Sequence, residues 1–147
     1  MEAAFQLRPA TVHDLAFARN LTCDNMLRYY IEYDLLWLDQ AFDQAWAGRE
    51  NWIILRGDAR WGFCSLSRDA KAVYIRELQV AEQCRGQGAG AWVIEAVMAR
   101  TCELRRSALR LTVFKSNPAQ ALYRRSGFVV VGEDDCFLMM QREARRS

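Results

Sequence analysis

Three alternating glycines in the middle of the chain, Gly86, Gly88 and Gly90, form the pattern with the clearest chemistry. They follow Arg85 and precede an apolar run from Trp92, so the segment joins a predicted strand to a predicted helix. Glycines let backbone N–H groups approach a ligand closely, and the first turn of a helix has N–H groups without a partner inside the helix. The arginine adds a fork-shaped charge that suits phosphate. The segment therefore predicts a site for a phosphate-bearing ligand.

Two other phosphate-binding motifs do not fit this segment. A P-loop ends in Gly-Lys-Ser/Thr, whereas Gly90 is followed by Ala91 and Trp92. The dinucleotide fingerprint G-x-G-x-x-G belongs to an early strand, whereas this chain has G-x-G-x-G in its middle. A tight turn that binds no ligand stays open as the alternative at this point.

Composition narrows the class of protein. With 147 residues, 52% of them apolar and 26% charged, we expect one globular domain spanning residues 1–147. A net charge of +2 is too small to predict a nucleic-acid partner. The five cysteines are scattered without a C-x-x-C pair, so neither a disulfide framework nor a metal site is predicted. The lack of a long apolar run or a secretory leader predicts no membrane association and a cytoplasmic location.

The periodicity of apolar residues predicts an α/β domain with the order β-αα-β-β-β-α-β-α-β-β and a mixed, partly parallel sheet. The predicted strands are residues 5–8, 52–55, 61–67, 70–80, 109–114, 128–131 and 136–140. Helices are predicted from an N-cap at Thr11, with Asp14 completing a capping box, to about residues 26–30, over 34–47, from Gly90 to about Leu104, and from Asn117 to Gly127. Residues 142–147 are predicted to form a frayed basic tail.

Two segments taken together resemble the GNAT superfamily of N-acetyltransferases. The first is Arg85-x-x-Gly88-x-Gly90 preceded by Leu78-Gln79-Val80, and the second is Asn117-Pro118-Ala119-x-Ala121-x-Tyr123-x-x-x-Gly127-Phe128. The resemblance covers about residues 5–142, and its most specific part is 74–128. Within the family, the chain most resembles small single-domain bacterial members whose acceptors are unassigned. It implies a GNAT-like fold, in which the central mixed sheet is splayed between its fourth and fifth strands and helices cover both faces.

The resemblance also implies acetyl-CoA as co-substrate, without a metal. The diphosphate would lie on the N–H groups of the glycine turn, and the pantetheine arm would run along the strand that ends at Val80. The residues that the resemblance assigns to the coenzyme are Leu78, Gln79, Val80, Arg85, Gly86, Gln87, Gly88, Ala89, Gly90, Ala91, Asn117, Ala119 and Tyr123.

Two side chains are the candidates for acid–base chemistry. Tyr123 matches the family's general acid, which protonates the thiolate that leaves. Glu77 is the first candidate for the base, because a carboxylate inside an apolar strand is costly unless it is used or paired. A structural ion pair at Glu77, Glu32 as the base, or a chain of water molecules are the alternatives. An acyl-enzyme on Cys84 is disfavoured because the family generally uses direct attack and no histidine lies near.

The orientation of Glu77 depends on the local shape of its strand. Simple alternation places Glu77 on one face with Val73, Ile75 and Gln79, opposite Leu78 and Val80, unless a bulge intervenes. Some family members carry an acid one position earlier, where this chain has Arg76. That departure weakens the case for Glu77.

An aromatic segment falls where the family builds its acceptor pocket, and its candidate residues are Tyr30, Glu32, Tyr33 and Trp37. Their rings could bind a cation, although each ring could equally belong to the core. The reading favoured by the sequence is transfer of an acetyl group to a primary amine of a small molecule, by direct attack in a ternary complex. The alternatives are a protein N-terminus or lysine as acceptor, and a catalytically silent CoA-binding module. The resemblance also suggests a homodimer.

Overall fold

The computed structural model describes residues 3–144. Within them the strands are β1 Phe5–Pro9, β2 Glu50–Arg56, β3 Ala59–Arg68, β4 Ala72–Val80, β5 Ala108–Phe114, β6 Val129–Glu133 and β7 Phe137–Glu143. The α-helices are α1 Leu15–Glu32, α2 Asp39–Ala47, α3 Ala89–Glu103 and α4 Gln120–Arg125. The order of elements is the one that the sequence predicts.

All seven strands belong to one sheet with the order β1-β2-β3-β4-β5-β7-β6. Its neighbours are antiparallel except β4 and β5, which are parallel and are joined through α3. One apolar cluster packs Val93, Ile94 and Val97 of α3 against the sheet. A second packs Ala18 of α1 and the rings of α2 against Ile53 and Phe63 on the other face. The predicted mixed sheet with helices on both faces is thus confirmed.

The fourth and fifth strands separate along their length. They pair from Ala72 with Ala108 to Ile75 with Leu111, and no pairing joins them beyond that point. Each strand continues on its outer side, where β4 pairs with β3 up to Val80 and β5 pairs with β7 up to Phe114. The gap between them confirms the predicted splay and leaves backbone groups of both strands without a sheet partner on that side.

A bulge at Arg76 explains both the gap and the direction of Glu77. On β3, Leu66 faces Ile75 but the next residue, Ser65, faces Glu77, so Arg76 is an extra residue in β4. Such an insertion bends the strand and reverses the alternation of its side chains. Because the bulge marks the point where β4 leaves β5, we attribute the splay to it.

Because of the bulge, the side chains of β4 follow only part of the alternation that the sequence predicts. Val73 and Ile75 belong to the cluster under α3, and Leu78 and Val80 beyond the bulge pack against the same cluster. Glu77 lies on the opposite face with Gln79, whose side chain bonds to Asn25 of α1. The prediction that Glu77 shares a face with Val73 and Ile75 is therefore wrong, and its grouping with Gln79 is right.

Several element boundaries also differ from the prediction. The first helix continues to Glu32 instead of ending near residues 26–30, because its last aromatic side chains pack on Phe114. The second helix begins at Asp39 instead of residue 34, since Asp34 takes a left-handed conformation (φ 57°) that ends α1. The tail is ordered at its start, since Arg142 and Glu143 belong to β7 and Arg142 pairs with Glu95. Residues 145–147 of that predicted tail lie outside the described residues.

Gly62 allows β3 to approach β4 closely at the open end. A Cβ atom at Gly62 would collide with the backbone carbonyl of Gln79, which lies next to the partner residue Val80. Gly132 on β6 offers a contrast, since a Cβ there would meet Met139 at an ordinary 3.8 Å. A side chain at position 62 would therefore displace the end of β4.

We expect Gly62→Ala to lower the free energy of unfolding by about 1–3 kcal/mol, because the backbone of Gln79 must move to make room. Urea denaturation followed by tryptophan fluorescence measures this change. Gly132→Ala serves as the matched control and should stay within about 0.5 kcal/mol of the wild type. Equal stability of the two variants would contradict the close approach.

Candidate active site

The gap between β4 and β5 widens into a cavity of about 720 Å³. Its walls are the open half of β4, the end of β5, one face of α1, the turn before α3 and the helix α4. Of the residues predicted for the coenzyme, those that line this cavity are Leu78, Gln79, Val80, Arg85, Gly86, Gly88, Ala89, Gly90, Ala91, Asn117, Ala119 and Tyr123. Gln87 is the exception, since its side chain accepts a hydrogen bond from Arg56 at 3.4 Å.

The N-terminus of α3 opens into this cavity without a side-chain cap. Gly88 is the N-cap residue, with a left-handed φ of 87° that favours glycine. The first helical bond runs from the Trp92 N–H to the Gly88 carbonyl at 3.0 Å, so the N–H groups of Ala89, Gly90 and Ala91 have no acceptor within the helix. Three N–H groups without an acceptor in the helix, together with the positive end of the helix dipole, are suited to hold an anion.

Gly90 has a second, purely structural reason to be glycine. A Cβ atom there would lie 2.8 Å from Cδ2 of Leu122 on α4. Close packing of α3 against α4 therefore explains this glycine, whereas a Cβ at Gly88 would meet nothing within 4 Å. The open side of the turn is at Gly88.

Arg85 lies across the end of β4. Its Nη2 donates to Oδ1 of Asn25 on α1 at 2.7 Å, and its Nε donates to the Val80 carbonyl at 3.4 Å. Nδ2 of Asn25 donates to the same carbonyl at 3.2 Å. The guanidinium therefore stands between the glycine turn and the open edge of the strand.

Tyr123 is buried on α4, with 9% of its surface exposed, and its ring meets Phe128 nearly edge-on at 6.0 Å. Burial raises the pKa of its hydroxyl well above the ordinary value of 10, and the neighbouring Cys64 and Glu77 add to that rise. The hydroxyl has no hydrogen-bond partner among residues 3–144, although the side chain lines the cavity. Tyr123 is thus a neutral phenol with a proton free to donate.

Glu77 lies on the wall of the cavity opposite the α3 side, facing α1 and partly buried. Its Oε1 accepts a hydrogen bond from Nε2 of Gln79 at 3.0 Å. Burial raises the pKa of the carboxyl above its ordinary 4.5, while the Gln79 bond and the charge of Arg49 lower it to a lesser extent. A carboxylate with a raised pKa is a stronger base than an ordinary one.

Asn117 shapes the start of α4. Its Oδ1 accepts a hydrogen bond from the Ala119 N–H at 2.9 Å, and its own N–H donates to the Phe114 carbonyl at 3.0 Å. This side-chain cap fixes the turn that leads from β5 into the helix carrying Tyr123. Its Nδ2 is left to donate elsewhere.

The four residues predicted for the acceptor occupy different surroundings. Tyr30 lines the cavity beside Glu77, and Trp37 packs against the Tyr30 ring at 5.3 Å without reaching the cavity. Ser116, in the loop after β5, donates to Glu32 at 2.5 Å and bonds to the Tyr33 hydroxyl. Glu32 and Tyr33 therefore connect the end of α1 to that loop.

Rings of α1 stack around Phe114 at the end of β5. Tyr29 and Tyr33 are nearly parallel to the Phe114 ring, at 5.5 and 5.2 Å, and Phe137 of β7 contacts it at 4.4 Å. With the Ser116 bonds, these contacts hold the last turns of α1 over the gap. The helix thus bridges two strands that no longer pair with each other.

Sequence reasoning missed the contribution of the middle of α1. Besides Tyr30, which was predicted, the helix lines the cavity with Thr22, Asn25 and Met26. These positions follow the spacing of one helix face, which was visible in the sequence. What the sequence did not reveal is that this face lines a cavity instead of packing into a core. Arg49, whose charge reaches Glu77, was missed because it lies in a connection without a motif.

Residues 3–144 contain no group of three or more His, Cys, Asp or Glu side chains that could hold a metal ion. In the same part of the chain, every helix is too short or too polar to cross a membrane.

Solved structures of N-acetyltransferases share this fold. The PaiA N-acetyltransferase of Thermoplasma acidophilum, solved with coenzyme A, is 13% identical with a TM-score of 0.76, covering 95% of this chain and 99% of that one. The ribosomal-protein-S18-alanine N-acetyltransferase of Escherichia coli is 16% identical with a TM-score of 0.76, covering 98% and 96%. The spermidine N-acetyltransferase of Vibrio cholerae, solved with CoA and spermine, is 17% identical with a TM-score of 0.75, covering 95% of each chain.

No curated protein matches the sequence significantly. The family model of the acetyltransferase (GNAT) domain does match, over residues 36–138. That match spans more than half of the chain and includes the bulged strand, the glycine turn and Tyr123. The chain therefore belongs to the GNAT acetyltransferase family.

Proposed function

We propose that this protein transfers the acetyl group of acetyl-CoA to the primary amine of a small molecule, by direct attack while both substrates are bound. One observation carries the proposal: the uncapped N-terminus of α3, the free hydroxyl of Tyr123 and the carboxylate of Glu77 all lie on the wall of one cavity. These are an anion site, a proton donor and a proton acceptor, which are the three groups that acetyl transfer from a thioester to an amine requires.

The residues present fit coenzyme A. The free N–H groups at the start of α3 and the open side of Gly88 suit a diphosphate, which Arg85 can reach from the adjoining turn. The edge of β4 beyond the bulge has lost its partner strand, so its backbone groups suit the amides of an extended pantetheine arm. When bound there, acetyl-CoA supplies the activated acyl thioester.

Glu77 is proposed as the general base. A primary amine such as that of lysine has a pKa of about 10.4 and is mostly protonated at neutral pH, so it must lose a proton before it attacks. The Glu77 carboxylate can accept that proton, directly or through one water molecule. Since only the ionised carboxylate acts as a base, the rate should rise as the pH increases through the raised pKa of Glu77.

Tyr123 is proposed as the general acid. Because burial raises its pKa, the phenol keeps its proton around neutral pH. The hydroxyl can donate that proton to the sulfur atom that leaves. Tyr123 and Glu77 thus have opposite tasks, and burial supports both: it keeps the phenol neutral and raises the pKa of the carboxyl, which makes Glu77 a stronger base.

The hydrogen bonds between the end of α1 and Ser116 favour a small molecule over a protein as the acceptor. A protein chain needs a groove that is open along its length, whereas the bonds of Glu32 and Tyr33 to Ser116 close one side of the gap. Tyr30 remains beside Glu77 as a ring that an amine could contact. We assign Glu32, Tyr33 and Trp37 to the support of this pocket. The homodimer and the cytoplasmic location stay predictions.

For the proposed function, the first prediction concerns the anion site. Asn and Asp both tolerate a left-handed conformation, so Gly88→Asn and Gly88→Asp differ mainly in charge. We expect Gly88→Asp to weaken CoA binding by roughly 100-fold and Gly88→Asn by about tenfold, because the added carboxylate repels the diphosphate. Isothermal titration calorimetry with CoA measures the dissociation constant of each variant. If Gly88→Asp bound CoA with wild-type affinity, the diphosphate would not bind at this turn.

The second prediction concerns the acid. Tyr123→Phe should lower kcat by about 10- to 1,000-fold and leave CoA affinity unchanged, because only the proton donor is removed. Steady-state release of the CoA thiol measures kcat. Tyr74→Phe is the matched control, since its hydroxyl bonds to Asp69 outside the cavity and its loss should leave kcat as it is. If kcat of Tyr123→Phe equals that of the wild type, Tyr123 is not the acid.

The proposed activity itself is tested with acetyl-CoA and a panel of acceptors. We expect thiol release with at least one small primary amine, and slower release with peptides that present a free N-terminus or a lysine. Glu77→Gln should abolish that turnover near neutral pH. Tight CoA binding without turnover on any acceptor would instead indicate a catalytically silent CoA-binding module.

A further inference from the structure

A continuous chain of hydrogen bonds connects Arg85 with the carboxylate of Glu77. Nη2 of Arg85 donates to Oδ1 of Asn25 at 2.7 Å. Nδ2 of Asn25 donates to Oε1 of Gln79 at 3.1 Å, and Nε2 of Gln79 donates to Oε1 of Glu77 at 3.0 Å. The chain crosses from the glycine turn through α1 to the bulged strand. It therefore links the anion end of the cavity to its acid–base end.

The groups at the two ends of this hydrogen-bond chain determine the orientation of the two side-chain amides between them. A guanidinium can only donate hydrogen bonds, and an ionised carboxylate can only accept them. Asn25 must therefore turn its oxygen to Arg85 and its nitrogen to Gln79, and Gln79 must turn its nitrogen to Glu77. Flipping either amide would place two donors or two acceptors face to face. The amides thus have one satisfied arrangement, and that arrangement donates to Glu77.

This donation opposes the effect of burial on Glu77. Desolvation disfavours the charged form of a carboxyl, whereas a hydrogen bond to the carboxylate favours it. Gln79 is buried, with 7% of its surface exposed, so packing holds its amide in place beside Glu77. Among the partners of Glu77 in residues 3–144, the Gln79 side chain is the one that donates a hydrogen bond to the carboxylate.

The other ionisable groups around Glu77 come from each element packed against it. They are Tyr30 on α1, Arg49 before β2, Cys64 on β3, Arg76 on β4 and Tyr123 on α4. Burial raises the pKa of the phenols and of the thiol, so these three groups are neutral around pH 7. Arg49 favours the charged carboxylate from a distance, since it forms no ion pair with Glu77 within the described residues. Arg76 donates to Ser67 and stacks on Tyr74.

We propose that Gln79 and Asn25 are positioning residues that keep the Glu77 carboxylate charged and fixed in direction, with Arg85 anchoring them at the coenzyme end. The proposal rests on the proposed role of Glu77 as base for its catalytic meaning, but the chain of bonds can be tested without it. Arg85 has five N–H donors and uses one on Asn25 and one on the Val80 carbonyl, so others are left for a diphosphate. Arg85 can therefore take part both in coenzyme binding and in the hydrogen bonds that lead to Glu77.

The decisive measurement is the pKa of Glu77 in the ligand-free protein, followed by the side-chain carboxyl ¹³C resonance of labelled glutamate. The Glu77 signal is identified by its loss in Glu77→Gln. We expect Gln79→Met, which keeps the length of the side chain but not its donor, to raise the pKa of Glu77 by about one unit. Asn25→Leu should raise it by a smaller amount, because Gln79 then loses the bond that fixes its amide.

Thr101→Val provides the matched control. Thr101 is fully buried on α3 and its hydroxyl donates to the Val97 carbonyl, so this variant also removes a buried polar group but lies outside the chain of bonds. It should leave the pKa of Glu77 as in the wild type. An unchanged pKa in both Gln79→Met and Asn25→Leu would overturn the proposal. Should Gln79→Met fail to fold, an unchanged pKa in Asn25→Leu would be sufficient to overturn it.

The pH dependence of kcat/KM, which reports the ionisation of the free enzyme, separates this proposal from the proposed function. If Glu77 is the base and Gln79 lowers its pKa, the acidic limb of the kcat/KM profile in Gln79→Met moves to higher pH by the same amount as the carboxyl pKa. The value of kcat/KM below that limb is then about tenfold lower. If the carboxyl pKa rises but the limb does not move, the chain of bonds is supported and Glu77 is not the base.

Discussion

The interruption of pairing between β4 and β5 is the constraint on which the rest of the site depends. Two parallel strands that paired throughout would satisfy each other's backbone groups and leave no room for a ligand. Here one extra residue at Arg76 bends β4 away after Ile75, while β5 continues against β7. The same insertion that opens the cavity reverses the side chains beyond it. Position 77 therefore faces α1 instead of the core under α3.

The opening must be held by something other than the sheet, and α1 does this. Its last turns stack on Phe114 and bond to Ser116 at the end of β5, while Asn25 bonds to Val80 and Gln79 at the end of β4. The helix is thus attached to both strands across the gap. This attachment holds the two strands apart on either side of the cavity. The face of α1 that lines the cavity is polar, whereas a helix packed into a core would present apolar side chains there.

Much of the fold and half of the site could be predicted from the sequence. The order of elements and the glycine turn depend on local patterns, namely apolar periodicity and the spacing of Gly86 and Gly88, so they were accessible. The face of Glu77 was not, because a single-residue bulge changes the alternation without a local signal and becomes evident only from the pairing with β3. The roles of Asn25 and Ser116 depend on contacts between residues more than 50 positions apart, which no local pattern encodes.

If the cavity binds acetyl-CoA as proposed, the open edge of β4 and the first turn of α3 bind one ligand together. Backbone amide chemical shifts of the ¹⁵N-labelled protein, recorded while CoA is added, test this most directly. We predict that the amides of Ala89, Gly90 and Ala91 shift in the same titration, and with the same dissociation constant, as those of Leu78 and Val80. Shifts in neither segment at millimolar CoA would contradict the account, and so would shifts confined to one of them.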